Sequence, residues 1–233
     1  MNSCFFIHHL GLGDQLVLCG LVKTLLTKYN NVYLPVKKHN IQTVTKLYEQ
    51  DFPFLKILPV LDDYEMIQLS KKYESISIII KNGMFGEEKQ KQDELFCQWF
   101  YRVANVKYEN RWDMFSFVED LEKQTIKRTE IENHKFVFVH DDASRGFCIG
   151  EKYLENKNVY RPKHVLGDDD KTTIFDYKKI LLDAEEIHCM DSSFAILVDH
   201  IPELKTKNKF IHRYVRKDGG PIYNNNWQII HEK

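Results

Sequence analysis

Three short stretches carry side chains able to do chemistry. His8, His9, Leu10, Gly11, Leu12, Gly13, Asp14 and Gln15 run consecutively, so a carboxylate and a carboxamide follow two glycines one residue apart. His140, Asp141 and Asp142, with Arg145 and Gly146 close behind, gather an imidazole, two carboxylates and a guanidinium. Asp191, Ser192 and Ser193 set a carboxylate and two hydroxyls ahead of the apolar run FAILV. A guanidinium can clamp a diphosphate through two parallel charge-assisted bonds, and a neighbouring glycine allows close backbone approach. Hydroxyls and free backbone N–H groups at a helix start suit an anion or a hydroxyl-rich ligand. Each stretch also has a plain structural reading. Asp14 suits the first turn or cap of a helix, DDASRG makes a well-formed polar turn, and Asp191 or Ser192 can serve as an ordinary N-cap.

The glycine turn does not fit the two commonest phosphate-binding patterns. A dinucleotide fingerprint requires a third glycine where Leu16 stands, and an acidic residue at the end of the second strand, where the sequence reads PVKK. Asp14 would also bring negative charge toward the pyrophosphate at a helix N-terminus. A P-loop fails because no Lys-Ser or Lys-Thr follows the glycines.

The elements that position these stretches alternate between strand and helix. Residues 4–8 predict a buried strand and 15–28 a helix with Leu16, Leu18, Leu21, Val22, Leu25 and Leu26 on or near one face. Residues 32–36 predict a second strand, 40–49 a helix, LKILPV a third strand, 64–72 a helix and 75–80 a fourth strand. Such alternation over short loops argues for parallel pairing through right-handed crossovers. DELFCQWFYRVANV is aromatic-rich and helical, and the charged segment after it reads as helices that close the first unit, with a boundary near 125–133. Alternation then restarts: strands over 135–140 and 158–162, a helix over 173–185, the strand EIHCM, a helix over 192–200 stopped by Pro202, and KFIHR as the last strand before a partly irregular tail. All three chemical stretches then fall at strand carboxyl ends, the edge where open α/β sheets bind ligands.

Bulk properties narrow the function classes. The chain has 233 residues with 43% hydrophobic and 13% aromatic content, enough for one large or two small packed units. A net charge of −1 implies no strong nucleic-acid or membrane field. The five cysteines are scattered with no CxxC spacing, which points to reduced thiols rather than a zinc knuckle or disulfide framework. The N-terminus lacks the basic start of a signal peptide, and no run approaches the length of a membrane span, so a cytoplasmic location is expected. GDDDK at 167–171 has the spacing of a metal-binding DxD, but no apolar strand precedes it and it reads as a solvated turn. His188, inside EIHCM, reads as a core histidine.

The GLGD turn after the first strand and IHCMDSSFAILVD in the second half resemble glycosyltransferases of the two-Rossmann-domain (GT-B) type. Within these, the chain is most similar to the bacterial lipopolysaccharide heptosyltransferases and related small sugar transferases. The resemblance spans most of the chain in order. Ser193 stands where that family usually has glycine, and the chain is much shorter, so the heptosyl donor is not carried over. The resemblance implies an α/β fold of two Rossmann-like domains facing across a cleft, the second one small: residues 1–130 for the acceptor and 131–233, with the C-terminal tail, for the nucleotide sugar. It implies Asp14 as the catalytic base, with His8, His9, Gly11, Gly13 and Gln15 on the acceptor side. It implies His140, Asp141, Asp142, Arg145, Gly146, Asp191, Ser192 and Ser193 on the donor side. The reaction implied is metal-independent and needs no cofactor beyond the nucleotide-sugar donor, which pairs with a glycan or glycoconjugate acceptor; no nucleic-acid partner is implied. The oligomeric state stays open. A nucleotide-sugar 2-epimerase shares the same design, and so does a non-catalytic sugar-nucleotide or glycan-binding protein.

Overall fold

The computed structural model describes residues 2–51, 54–132, 135–162, 172–214, 223 and 226–231. The chain divides into two compact units, Met1–Val118 and Glu119–Lys233. In the first unit, β1 (Ser3–Ile7), β2 (Asn31–Lys37), β3 (Leu55–Val60) and β4 (Ile78–Lys81) form one sheet in the order β3-β2-β1-β4. Every pair is parallel, as the strand–helix alternation requires. β1 is central and reads as an unbroken apolar run, with Cys4, Phe5, Phe6 and Ile7 all buried, because both its faces are covered. β4 lies at the edge and leaves Ile78 exposed.

Helix α1 (Leu12–Lys28) follows β1 directly, and Gly11 is its N-cap in extended backbone. Its buried residues run round the whole cylinder, including Gln15, Cys19 and Gly20, as expected for a helix enclosed by neighbours. α2 (Ile41–Tyr48), α4 (Phe96–Val103) and the short α5 (Asn110–Asp113) pack on it, and α3 (Asp63–Lys71) packs on β1 and β3. Gly20 is where α5 comes closest: a Cβ there would stand 1.8 Å from the Asn110 carbonyl oxygen. Tyr101 locks α4 to the middle of α1, its hydroxyl donating to Val17 O (2.7 Å) and accepting from Leu21 N (3.2 Å).

The second unit has β5 (Val137–His140), β6 (Val159–Tyr160), β7 (Glu186–Met190), β8 (Asn208–His212) and β9 (Trp227–Ile230), all parallel, in the order β6-β5-β7-β8-β9. Its helices are α6 (Leu121–Thr129), α7 (Lys178–Asp183) and α8 (Ser193–His200). α6, which the sequence pattern assigns to the end of the first unit, packs against α7 and the 3-10 turn Ile174–Tyr177 of the second. Among the described residues no helix is long and apolar enough to cross a membrane.

Three expected elements differ. SISIII does not start a strand at Ser75. The carbonyl of Tyr73 accepts from Ile76 N, Ser77 N and the Ser77 hydroxyl, so the turn ending α3 takes those residues and the strand begins at Ile78. The single helix expected over 173–185 is instead a 3-10 turn, Ile174–Tyr177, followed by α7. A capping box in which Thr173 N donates to the Asp176 carboxylate sets that tight start. KFIHR is not the last strand, because Trp227–Ile230 of the tail pairs with it as β9. Trp227 holds that strand by donating from Nε1 to Asp199 Oδ1 on α8 (3.1 Å), a tertiary contact with no local signature.

Candidate functional site

Each sheet has one place where its strand order reverses, and open α/β sheets bind ligands outside the carboxyl ends of the strands at such a point. In the first unit the chain runs outward from β1 through β2 to β3, then returns to β1's other side as β4. The reversal therefore lies between β1 and β4, and His8–Asp14 emerges there. In the second unit it lies between β5 and β7, where His140–Asp142 and Asp191–Ser193 emerge. Topology thus brings the second unit's two predicted stretches to one edge of one sheet.

At the first edge, Asp14 is half-buried in the first turn of α1. Its carboxylate folds back over Gly11: a Cβ at Gly11 would stand 2.7 Å from Asp14 Oδ2. Gly11 has φ −64°, open to any residue, so what favours glycine is the carboxylate folded over it and not backbone conformation. An acidic group here also complements the positive end of α1. Gly13 is half-buried in the same turn.

His8 is fully buried, with Nδ1 2.8 Å from His9 O and Nε2 3.1 Å from Pro35 O. Two facing carbonyls favour the doubly protonated ring, but burial outweighs them and pushes the imidazole down to about 4. His9 stacks on Phe100 (centroids 5.3 Å apart, planes at 15°), with Phe85 and Phe96 against its edges. Burial lowers its pKa, and the charge of Asp63 offsets only part of that. Gly83 closes the far side, with φ +63° and a Cβ position 2.7 Å from His9 Nε2, so both backbone and space demand glycine.

Sequence reasoning placed Gln15 on the acceptor side and missed the other two amides of this edge, Asn40 and Asn82. Gln15 is fully buried with neither side-chain polar atom hydrogen-bonded. The same holds for Asn82, which follows β4 and whose backbone N donates to Ile7 O (2.8 Å). Asn40, after β2, donates from Nδ2 to Leu10 O (3.4 Å) while its Oδ1 has no partner. The signal available was KNG directly after a strand, the counterpart of the glycine turn after β1.

At the second edge, Asp141 accepts from Ile149 N (2.8 Å) and Arg161 Nε (2.8 Å). Asp142 pairs with Arg145 and exchanges backbone hydrogen bonds with Phe147. Gly146 turns the loop at φ +71°, a conformation that favours glycine. His140 lies with its ring 4.6 Å from that of Phe194. Asp191 accepts from the Tyr223 hydroxyl (2.9 Å) and stands 3.7 Å from Arg213 Nε. Ser192 is the N-cap of α8, accepting from Ala195 N (3.4 Å), and Ser193 opens the helix. The edge is thus three carboxylates each matched to an arginine, of which sequence reasoning named only Arg145. His188 is a core residue, as expected, with its ring nitrogens 3.0 Å from His212 Nε2 and from Glu186 Oε2. Among the described residues no three His, Cys, Asp or Glu side chains are placed to hold a metal ion. The GDDDK run lies outside the described residues.

No protein-family model matches the chain. No curated protein matches it. Among solved structures it is similar to the E. coli heptosyltransferase WaaC with ADP, at 10% identity and a TM-score of 0.46, covering 100% of this chain and 94% of that one.

Proposed function

We propose that the protein is a metal-independent glycosyltransferase, with Asp14 as general base, a hydroxyl-bearing glycan acceptor on the first unit and a nucleotide-sugar donor on the second. The observation that carries this reading is the position of Asp14: a half-buried carboxylate at the switch point of a parallel sheet, folded back over a glycine. At about 3 Å from an acceptor hydroxyl, the carboxylate takes the proton as that oxygen attacks the anomeric carbon. The bond from that carbon to the diphosphate breaks, and the leaving nucleoside diphosphate gathers the negative charge. Backbone N–H groups at the start of α8 and the guanidinium of Arg145 would stabilise that charge. Arg145 does so by exchanging the Asp142 carboxylate for the diphosphate, a swap of one charge-assisted partner for another.

The test is Asp14→Asn, assayed for sugar transfer over panels of nucleotide sugars and neutral glycans. The variant keeps the shape of the turn, so melting temperature and nucleoside diphosphate affinity stay near the parent's. Transfer falls by about 10²- to 10⁴-fold, the usual contribution of a positioned base. Transfer within about threefold of the parent, against that expected loss, removes Asp14 from the chemistry. Conversion of donor alone, without acceptor, would replace the transferase by an epimerase.

A further inference from the structure

We propose that the carboxyl edge of the first sheet is a saccharide subsite in which Gln15, Asn40, Asn82 and His9 select an uncharged polyol over phosphorylated or carboxylated sugars. This rests on the acceptor side of the proposed transferase and names the chemistry that side takes. The residues come from three segments that meet at one place: Asn82 hydrogen-bonds to Ile7 O at the end of β1, Asn40 to Leu10 O, and Gln15 N to Gly11 O. Gln15, Asn40 and Asn82 are at most 2% exposed, and each carries buried polar atoms without partners.

Buried polar atoms are nearly always satisfied, and an unmade bond there costs more than a made one returns. Such a cluster at a ligand-binding edge therefore asks for a ligand that supplies the missing bonds. The missing bonds are of both kinds. Gln15 and Asn82 each lack a donor and an acceptor, so the conclusion holds whichever way their amides are flipped. Asn40 Oδ1 lacks a donor, and His9 Nε2 lacks a partner. A phosphate or carboxylate offers acceptors only and leaves the amide oxygens unmet. A hydroxyl donates and accepts at once. Charge points the same way: burial disfavours the charged form of both His8 and His9, and Asp14 repels a second anion. The lysines that end β2 and β4 stay toward solvent, Lys81 exposed and Lys37 half-exposed.

None of these atoms reaches solvent in this conformation. The element beside His9 Nε2 and Asn82 is the 3-10 turn Gly83–Phe85, bounded by Gly83 and Gly86 and carrying Met84 at 71% exposure. Access comes from displacement of this turn, which has glycine at both ends and an apolar side chain already in water.

The experiment follows the side-chain amide NMR signals of Gln15, Asn40 and Asn82 in the full chain, titrated with maltose, N-acetylglucosamine, glucose 6-phosphate and glucuronate. At least one neutral sugar moves these signals, and the two anionic sugars bind at least about tenfold more weakly. Gln15→Leu and Asn82→Leu remove orphaned groups without opening a cavity, so thermal stability holds or rises while the sugar response of the remaining amides is lost. Three results overturn the proposal: no sugar moves the amides, the anionic sugars bind as well as the neutral ones, or the leucine variants lose stability while sugar binding is unchanged, which marks a purely structural role. The transferase reading fails separately. If neutral sugar binds but no donor yields transfer, the subsite stands and the catalytic role of Asp14 falls.

Discussion

Acid should destabilise the first unit through His8, by an amount that the structure sets. The ring is fully buried and its pKa stands at about 4, against 6.5 for a free side chain. Between those two pH values the unfolded chain holds a proton on His8 and the folded chain does not, so stability falls as pH drops through 6.5 and stops falling below about 4. At about 1.4 kcal/mol per pH unit of separation, the full loss is about 3 kcal/mol, of which about 2 kcal/mol is gone by pH 5. That is a large share of the stability of a unit this size. Other groups titrate over the same range, so the comparison is with His8→Gln, which keeps a donor for Pro35 O and cannot titrate. The chain has three tryptophans, Trp99, Trp112 and Trp227, and a Trp227→Phe background leaves fluorescence reporting on the first unit alone. Urea unfolding at pH 7 and pH 5 should show the parent losing about 2 kcal/mol more than the His8→Gln chain. A gap between the two proteins that stays constant within about 0.5 kcal/mol across that range would show that burial does not hold His8 neutral.

Gly11→Ala places a methyl 2.7 Å from Asp14 Oδ2, so the carboxylate must move. Stability should barely change while transfer falls by about 10²-fold, the usual effect of a 1 Å misplacement, and unaltered transfer would show that the carboxylate needs no clear approach. Gly20→Ala drives a Cβ against the Asn110 backbone at 1.8 Å. The helix-propensity gain of about 1 kcal/mol is then overwhelmed, and urea unfolding should show a loss at or above about 3 kcal/mol; a more stable variant would refute the close packing of α1 on α5. Cys148 is exposed while Cys4, Cys19, Cys97 and Cys189 are buried, and burial pushes the Cys4 thiol up to about 12 and the Cys19 thiol up to about 11. A thiol reagent should therefore modify one cysteine quickly in the native protein and the rest only on unfolding, and several fast thiols would contradict the burial. Arg145→Ala should weaken nucleoside diphosphate binding by about 1.5–3 kcal/mol in calorimetry if the guanidinium leaves Asp142 for the ligand, and unchanged affinity takes it out of the donor site.

The sequence by itself determined the elements whose cause is local. CFFI is apolar without alternation because a central parallel strand is covered on both faces, and that pattern is readable from residue types. The glycine turn, the helix after it and the restart of strands before His140 were legible for the same reason, since periodicity and turn chemistry act over a few residues. Local cues also misled where several were compatible. SISIII has strand composition, but hydrogen bonds to the Tyr73 carbonyl drew its first residues into a turn. Only the tertiary structure decided the rest. β9 exists because Trp227 reaches Asp199 and the edge of β8 was open to it, contacts distant in sequence. Arg161 and Arg213 gave no signal because their carboxylate partners, Asp141 and Asp191, lie on other strands' loops. Gln15 stood out beside the glycine turn, but Asn40 and Asn82 looked like ordinary polar residues, and nothing in the sequence linked the three. The strand order β3-β2-β1-β4 carried them to one edge, and burial there turned these amides into groups that lack partners, because a hydrogen bond left unmade has a cost only where water cannot reach.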